Sequence, residues 1–241
     1  MNRRTKPVQW LALAGLCVAL LFARAATADE TGVKKRFENR FPGAAVTSVV
    51  AAPLPGLYEV FVQDELLYTD EEVNYVLNGS LIDAAGRNLT QERLGRLKGI
   101  PFDQLPLGSA IKIVKGNGSR KLAIFEDPDC PFCRRLEQEL VRVDNVTMYV
   151  LLYPLEQLHP GATGKSIRIW CSEDRAKAWT DAVLGRALNA PADCKHPIES
   201  LKKFAEGHRI FATPTIVFEN GTRVAGAIPA ADIEKKLAEK R

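Results

Sequence analysis

Three histidines and a single C-x-x-C are all that this chain of 241 residues offers a structural metal site. Zinc needs four soft or nitrogen ligands at ordered spacing. His159, His196 and His208 are scattered, no second C-x-x-C exists, and the close Cys/His pair is Cys194-Lys195-His196. These absences exclude a zinc ribbon or finger. Also lacking is an apolar run of about 20 residues, the length of a membrane-spanning helix. The stretch from Trp10 to Phe22 is too short; Arg3, Arg4 and Lys6 precede it and Ala26-Thr27-Ala28 follow it. Basic head, short apolar core and A-x-A site make a secretory signal peptide of residues 1–28, cut near Ala28. Cys17 follows Leu16, which disfavours lipid attachment, and Lys6-Pro7 after Arg3-Arg4 disfavours twin-arginine export.

An excess of charge is missing too. Four of the 33 basic residues and none of the 29 acids lie in the first 28 residues, so the rest carries 29 of each sign. A balanced chain gives no argument for nucleic acid as a partner. Its apolar content supports a packed core rather than a disordered chain.

Four cysteines remain after cleavage: Cys130, Cys133, Cys171 and Cys194. An even count in an exported chain suggests two disulfides, and four cysteines allow three pairings. The chemistry of a C-x-x-C favours Cys130 with Cys133, and hence Cys171 with Cys194.

The chain reads as two modules. Val33, Phe37 and Phe41 stand at helical spacing, with Pro42-Gly43 as a stop. Short runs follow at Val46–Val50, Leu57–Val62, Leu66–Tyr68, Val73–Leu77 and Leu81–Asp83. They suggest a small antiparallel sheet, with Asn78-Gly79 as its strongest hairpin signal. Phe37, Phe41, Tyr58 and Phe61 are expected to build the core of this module. It is small, so pairing with a second copy would bury more surface, for instance through a strand near 66–69. Thr90 to Lys98 reads as a connecting helix, ended by Gly99 and Pro101. From Ile111 the order is strand, strand (Lys121–Phe125), helix, strand (Val146–Leu152), helices across 162–205, strand (Thr215–Phe218), strand (Arg223–Ala225), helix. That order describes a mixed sheet with helices on its faces. The expected division is 29–88, 89–108 and 109–241.

Cys130 falls where a strand ends and a helix begins. Thiolate is the reactive form of cysteine, with an ordinary pKa near 8.5. A helix N-terminus offers unpaired N–H groups and partial positive charge, both of which stabilise thiolate. Pro131 suits the first turn, where a missing N–H costs nothing. Cys130 is therefore the expected nucleophile. Cys133, almost one turn further in, is the thiol that resolves a mixed disulfide. Asp127 and Asp129 are read as turn former and helix cap. The histidines receive no role.

FEDPDCPFCRRLEQEL, followed much later by ATPTIVFENGTRVAG, resembles the thioredoxin superfamily. The whole length after the signal resembles its periplasmic disulfide isomerase family, DsbC/DsbG. The resemblance implies an α+β cystatin-like dimerisation module, a linker helix, and an α/β thioredoxin-like domain with a helical insertion. It implies a homodimer, and Thr213-Pro214 as a cis-proline loop binding substrate backbone. Cys171–Cys194 would be the structural disulfide of the insertion; the DsbG branch generally lacks that pair. Pro131-Phe132 stands where the family often has Gly-Tyr, and this dipeptide tunes redox poise. Ile124 stands where many thioredoxins carry a buried acid. The implied activity is reduction or rearrangement of wrong disulfides in exported proteins, with chaperoning as a companion property. The implied electron donor is a membrane protein of the DsbD type, and no small-molecule cofactor is needed. The competing readings are a dithiol oxidase and a non-enzymatic holdase.

Overall fold

The computed structural model describes residues 29–188 and 190–239. The signal-peptide reading of residues 1–28 lies outside them. The chain falls into two compact units, one ending at Gly79 and the other beginning at Ser80.

In the first unit helix α1 (Glu30–Arg40) is capped by Asp29, whose Oδ1 accepts from Gly32 N at 2.9 Å. Val33 and Phe37 point inward from it. They pack on a four-stranded antiparallel sheet of β1 (Val46–Ala51), β2 (Leu57–Val62), β3 (Glu65–Asp70) and β4 (Val76–Leu77), in that order. Phe37, Tyr58 and Phe61 are buried, but Phe41 is 42% exposed and leans on the Phe37 ring. Two expectations about this sheet fail. The strand expected from Val73 begins only at Val76, because Asp70 takes the segment's donors: its Oδ1 accepts from Tyr75 N and its Oδ2 from Asn74 Nδ2. Asn78-Gly79 turns no hairpin, since β4 is two residues long and the run at 81–83 supplies only an isolated Ile82–Asn88 bridge. The tight turn is at Gln63-Asp64, between β2 and β3, where both residues have positive φ.

The second unit begins with α2 (Leu89–Leu97), capped by Asn88 through Gln91 N. Thr90, expected at its start, lies inside it and accepts from Leu81 N. Read from sequence as a connector, α2 packs on β9 (Arg223–Ala225). A Cβ on Gly95 would stand 2.8 Å from the Arg223 carbonyl oxygen, so helix and strand meet closer than a side chain allows.

The sheet of this unit has five strands in the order β5 (Ile111–Lys115), β7 (Val146–Leu152), β6 (Arg120–Glu126), β8 (Thr215–Phe218) and β9. β6 and β7 are parallel and the other pairs antiparallel. A parallel pair needs a crossover, supplied by α3 (Pro131–Leu140). β6 is central because it is apolar on both faces. Leu122 and Ile124 meet Leu136 and Leu140 of α3 and Ile233 of α7 (Ala230–Ala238). Ala123 and Phe125 meet the core under α4 (Ala162–Cys171), α5 (Arg175–Val183) and α6 (Ile198–Gly207). Each strand residue thus serves one face in turn. Val141 lies past the end of α3 and is exposed.

Candidate active site

The site forms where β6 runs out. Asp127-Pro128-Asp129 leads from the strand into α3, and Cys130 is the N-cap residue with extended backbone. Pro131 occupies the first helical position and lets the next N–H groups point at the Cys130 sulfur. Both Cys130 and Cys133 are free thiols. Cys130 is 4% exposed and Cys133 fully buried, while Phe132 between them is 58% exposed. The Thr213–Pro214 peptide bond is cis, and Cys130 Sγ lies 3.4 Å from Thr213 O. Gly226 N on Pro214 O and Thr215 Oγ1 on Ala212 O hold that loop. The chain thus brings together residues more than 80 positions apart. Cys171 and Cys194 are joined as a disulfide in the helical insertion.

The electrostatics separate the two thiols. Cys130 is lowered to about 5. The Cys133 thiol donates to the thiolate and is the largest cause; Thr213 and the amides of Cys133 and Phe132 add to it, against the cost of burial. Cys133 moves the other way. Burial pushes its thiol far up, helped by the bond to Cys130 and the charge of Glu126. One sulfur is an anion at neutral pH and its neighbour holds its proton.

Asp127 organises the turn. Its amide donates to Cys133 Sγ at 3.5 Å and its carbonyl accepts from Cys130 N at 3.2 Å. Its carboxylate, fully buried, accepts from Asp129 N, Leu155 N and the His159 ring. The turn-former reading of Asp127 is thus part of a larger role. Asp129 does not cap α3; it pairs with Lys165. His159 was given no role by sequence and no local pattern could have supplied one, since its partner lies 32 residues away. Its pKa is raised by the hydrogen bond it donates to Asp127, and further by the charges of Asp127, Cys130 and Asp129, against burial. A histidine raised above its ordinary 6.5 adds stability fully present below that value and lost as pH climbs through the folded one. His159→Gln is therefore expected to cost about 1–2 kcal/mol at pH 6 and less at pH 8, by urea unfolding at both. An equal loss at the two pH values would contradict a charged His159.

Two more groups escaped the sequence reading. Glu126 ends β6 fully buried, and Glu137 of α3 accepts from Trp179 Nε1 at 2.8 Å. A charged residue directly after the apolar run Leu122–Phe125 was the available signal, since a fully buried glutamate is rare.

Comparison with known proteins follows this geometry. Residues 24–91 match the family described as the disulfide bond isomerase protein N-terminal domain, and residues 107–241 match a thioredoxin-like domain. The chain is 43% identical over 216 residues to the probable thiol:disulfide interchange protein DsbC of Bordetella parapertussis, covering 89% of this chain and 76% of that one. It is 25% identical over 225 residues to the thiol:disulfide interchange protein DsbC of Escherichia coli K12, covering 90% and 91%. A crystal structure of a disulfide interchange protein from Neisseria gonorrhoeae is 40% identical, with a TM-score of 0.53, over 55% of this chain and 96% of that one. Matched by both domains in order and by relatives along most of its length, the chain belongs to the DsbC family of thiol:disulfide interchange proteins.

Proposed function

We propose that the chain acts as a periplasmic disulfide isomerase through Cys130. The Cys130 thiolate attacks a wrong disulfide in a misfolded exported protein. One substrate sulfur bonds to Cys130 and the other leaves as thiolate. That thiolate, or another in the substrate, then attacks elsewhere and rearranges the pairing, which returns Cys130 unchanged. Alternatively Cys133 attacks Cys130 Sγ, closes the Cys130–Cys133 disulfide and releases a reduced substrate. The observation that carries this reading is the opposite displacement of the two neighbouring thiols. Thr213 and Pro214 hold substrate backbone beside the sulfur, Pro131 and Phe132 set redox poise, and Cys171–Cys194 is structural.

Each escape through Cys133 leaves a disulfide that must be reduced again. A membrane electron donor of the DsbD type supplies those electrons, and the chain is exported with its signal peptide cleaved near Ala28. The modules are 29–88 and 109–241, joined by 89–108; the family matches at 24–91 and 107–241 support this. The first module pairs two chains. In support, β4 pairs with Tyr68 and Thr69 of β3 and with no further strand among the described residues, and Tyr75, Val76 and Leu77 are exposed apolar residues along that edge.

Reactivation of scrambled ribonuclease tests the reading. The reduced wild-type chain restores activity and Cys130→Ala does not. Reactivation by Cys130→Ala would contradict it, and aggregation suppressed without reactivation would mark holdase action as a separate property.

A further inference from the structure

The approach to Cys130 is crowded with acid: Glu126, Asp127 and Asp129 stand among the four residues before it. A carboxylate beside a thiol opposes its ionisation by the repulsion of like charges. Burial pushes Glu126 toward its neutral form, which leaves Asp127 and Asp129 for the sulfur to tolerate. Both are met by a base, and both bases come from one short segment. The His159 ring, through Nδ1, lies 2.9 Å from Asp127 Oδ2, and Lys165 Nζ pairs with Asp129 Oδ1. Asp127 is fully buried, His159 nearly so, and Asp129 and Lys165 are half-buried. Water therefore screens these pairs less than it screens a pair on the open surface. The segment that carries the bases is itself held. Glu156 accepts from Gly161 N through Oε1 and from Thr163 N through Oε2, which closes the turn and ties down the start of α4. Ala162 N donates to His159 O, and Lys165 N to Gly161 O. Leu155 N donates to Asp127 Oδ2 at 2.7 Å, so backbone as well as side chain joins the segment to the turn before Cys130. The charges that act on His159 are those of Asp127, Cys130 and Asp129; Lys165 on α4 and Glu156 on the same segment complete the charged groups of this frame.

We infer that His159 and Lys165 form a cationic brace: by neutralising Asp127 and Asp129 they let the sulfur of Cys130 carry its charge, and they are positioning residues of disulfide exchange. The inference deepens the reading of Cys130 as the exchanging sulfur and rests on it. Each base acts through the carboxylate it holds. The N–H groups at the start of α3 pull Cys130 toward thiolate, and two bare carboxylates would push against them. The brace removes that push. Its effect on the cycle has a direction. A stabilised thiolate at Cys130 favours the dithiol over the Cys130–Cys133 disulfide, and it makes Cys130 the better leaving group when a substrate thiol opens a mixed disulfide. Loss of either base bares one carboxylate and raises the Cys130 thiol. The disulfide form then gains on the dithiol, and the mixed disulfide opens more slowly. The couple that reads this is balanced: the dithiol and one oxidised glutathione give the Cys130–Cys133 disulfide and two reduced glutathiones. The segment 159–165 thus sets how far the site leans toward isomerisation.

Two readings test the brace in the full chain: the pH midpoint of Cys130 alkylation by iodoacetamide, and the equilibrium with glutathione at pH 7. Lys165→Met keeps the length of the side chain and drops its charge. Its midpoint is expected to rise by about one pH unit, the low end of what a neighbouring charge does to a titrating group. A rise of about one unit corresponds to a roughly tenfold shift of the glutathione equilibrium toward the disulfide. His159→Gln, which keeps a hydrogen-bond donor for Asp127, is expected to move both readings the same way. Lys165→Arg retains the charge and is expected to leave both at the wild-type values. Asp129→Asn added to Lys165→Met removes the bared carboxylate and is expected to bring the midpoint back to within about 0.3 unit of the wild type. A merely structural Lys165 would lower the melting temperature without such a rescue. An unmoved midpoint in either Lys165→Met or His159→Gln overturns the inference, and so does a raised one that Asp129→Asn fails to bring back. The wild type separates the two claims. A wild-type midpoint near 5 with unmoved variants defeats the brace alone. A wild-type midpoint in the ordinary thiol range defeats the reading of Cys130 and the brace with it.

Discussion

Cys130→Ala is expected to lose disulfide exchange by on the order of 10⁴-fold or more, because a nucleophile has no substitute within its own mechanism. The reason lies in the charge state of one sulfur. An ordinary thiol near 8.5 is about 3% ionised at pH 7. Cys130, lowered to about 5, is almost wholly thiolate there. Nucleophilicity falls with pKa, with a slope of about 0.4–0.5, so the gain in thiolate and the loss in strength nearly offset in the attacking step. The advantage is collected in the reverse direction. A low-pKa sulfur is a good leaving group, so a mixed disulfide at Cys130 opens readily when a substrate thiol attacks it. That is what repeated shuffling requires. The same stabilised thiolate favours the dithiol over the Cys130–Cys133 disulfide. Alkylation of Cys130 by iodoacetamide should therefore show its midpoint near pH 5. A midpoint in the ordinary thiol range would contradict the electrostatic account. Full exchange activity in Cys130→Ala would contradict the site.

The second large effect concerns stability. Cys171 and Cys194 are 23 residues apart, and their bridge ties the end of α4 to the segment before α6. Everything between hangs on that closure, including α5 with Trp179. Constraining a loop of this length stabilises the fold by about 3 kcal/mol in the chain-entropy model. The double substitution Cys171→Ala, Cys194→Ala is thus expected to lower the melting temperature of the second unit by roughly 10 °C. The effect should reach the active site. Trp179 anchors Glu137, and Arg134 of α3 donates to the Val183 carbonyl at the end of α5. A looser insertion frees both. Scanning calorimetry on the oxidised wild type and the double variant reads the shift. A change under about 2 °C would mean that packing alone holds α5.

The features legible in the sequence were those with local chemistry. The run KLAIF reads as a central strand because it is apolar on both faces, and β6 is that strand. A proline one residue into the helix, after a cysteine, marks an N-terminus, and α3 starts there. What escaped depended on partners distant along the chain. Gln63-Asp64 carries no glycine or asparagine, yet the pairing of β2 with β3 forces both into the left-handed region. Asn78-Gly79 is a strong local turn signal without strands long enough to use it. Ile124, at the position where thioredoxins often bury an acid, packs in the apolar core. The buried acid is instead Glu126, two residues along the same strand face at its open end. His159 became part of the site only through Asp127.

The direction of electron flow through Cys130 and Cys133 decides between isomerase and oxidase. It can be read in cells by trapping free thiols with acid, labelling them with a mass tag, and separating the two forms. A pair found mostly as the dithiol is the predicted result, since attack on a wrong disulfide needs the Cys130 thiolate. A pair found mostly as the Cys130–Cys133 disulfide, with the electron donor intact, would contradict isomerisation and make the chain a donor of disulfides.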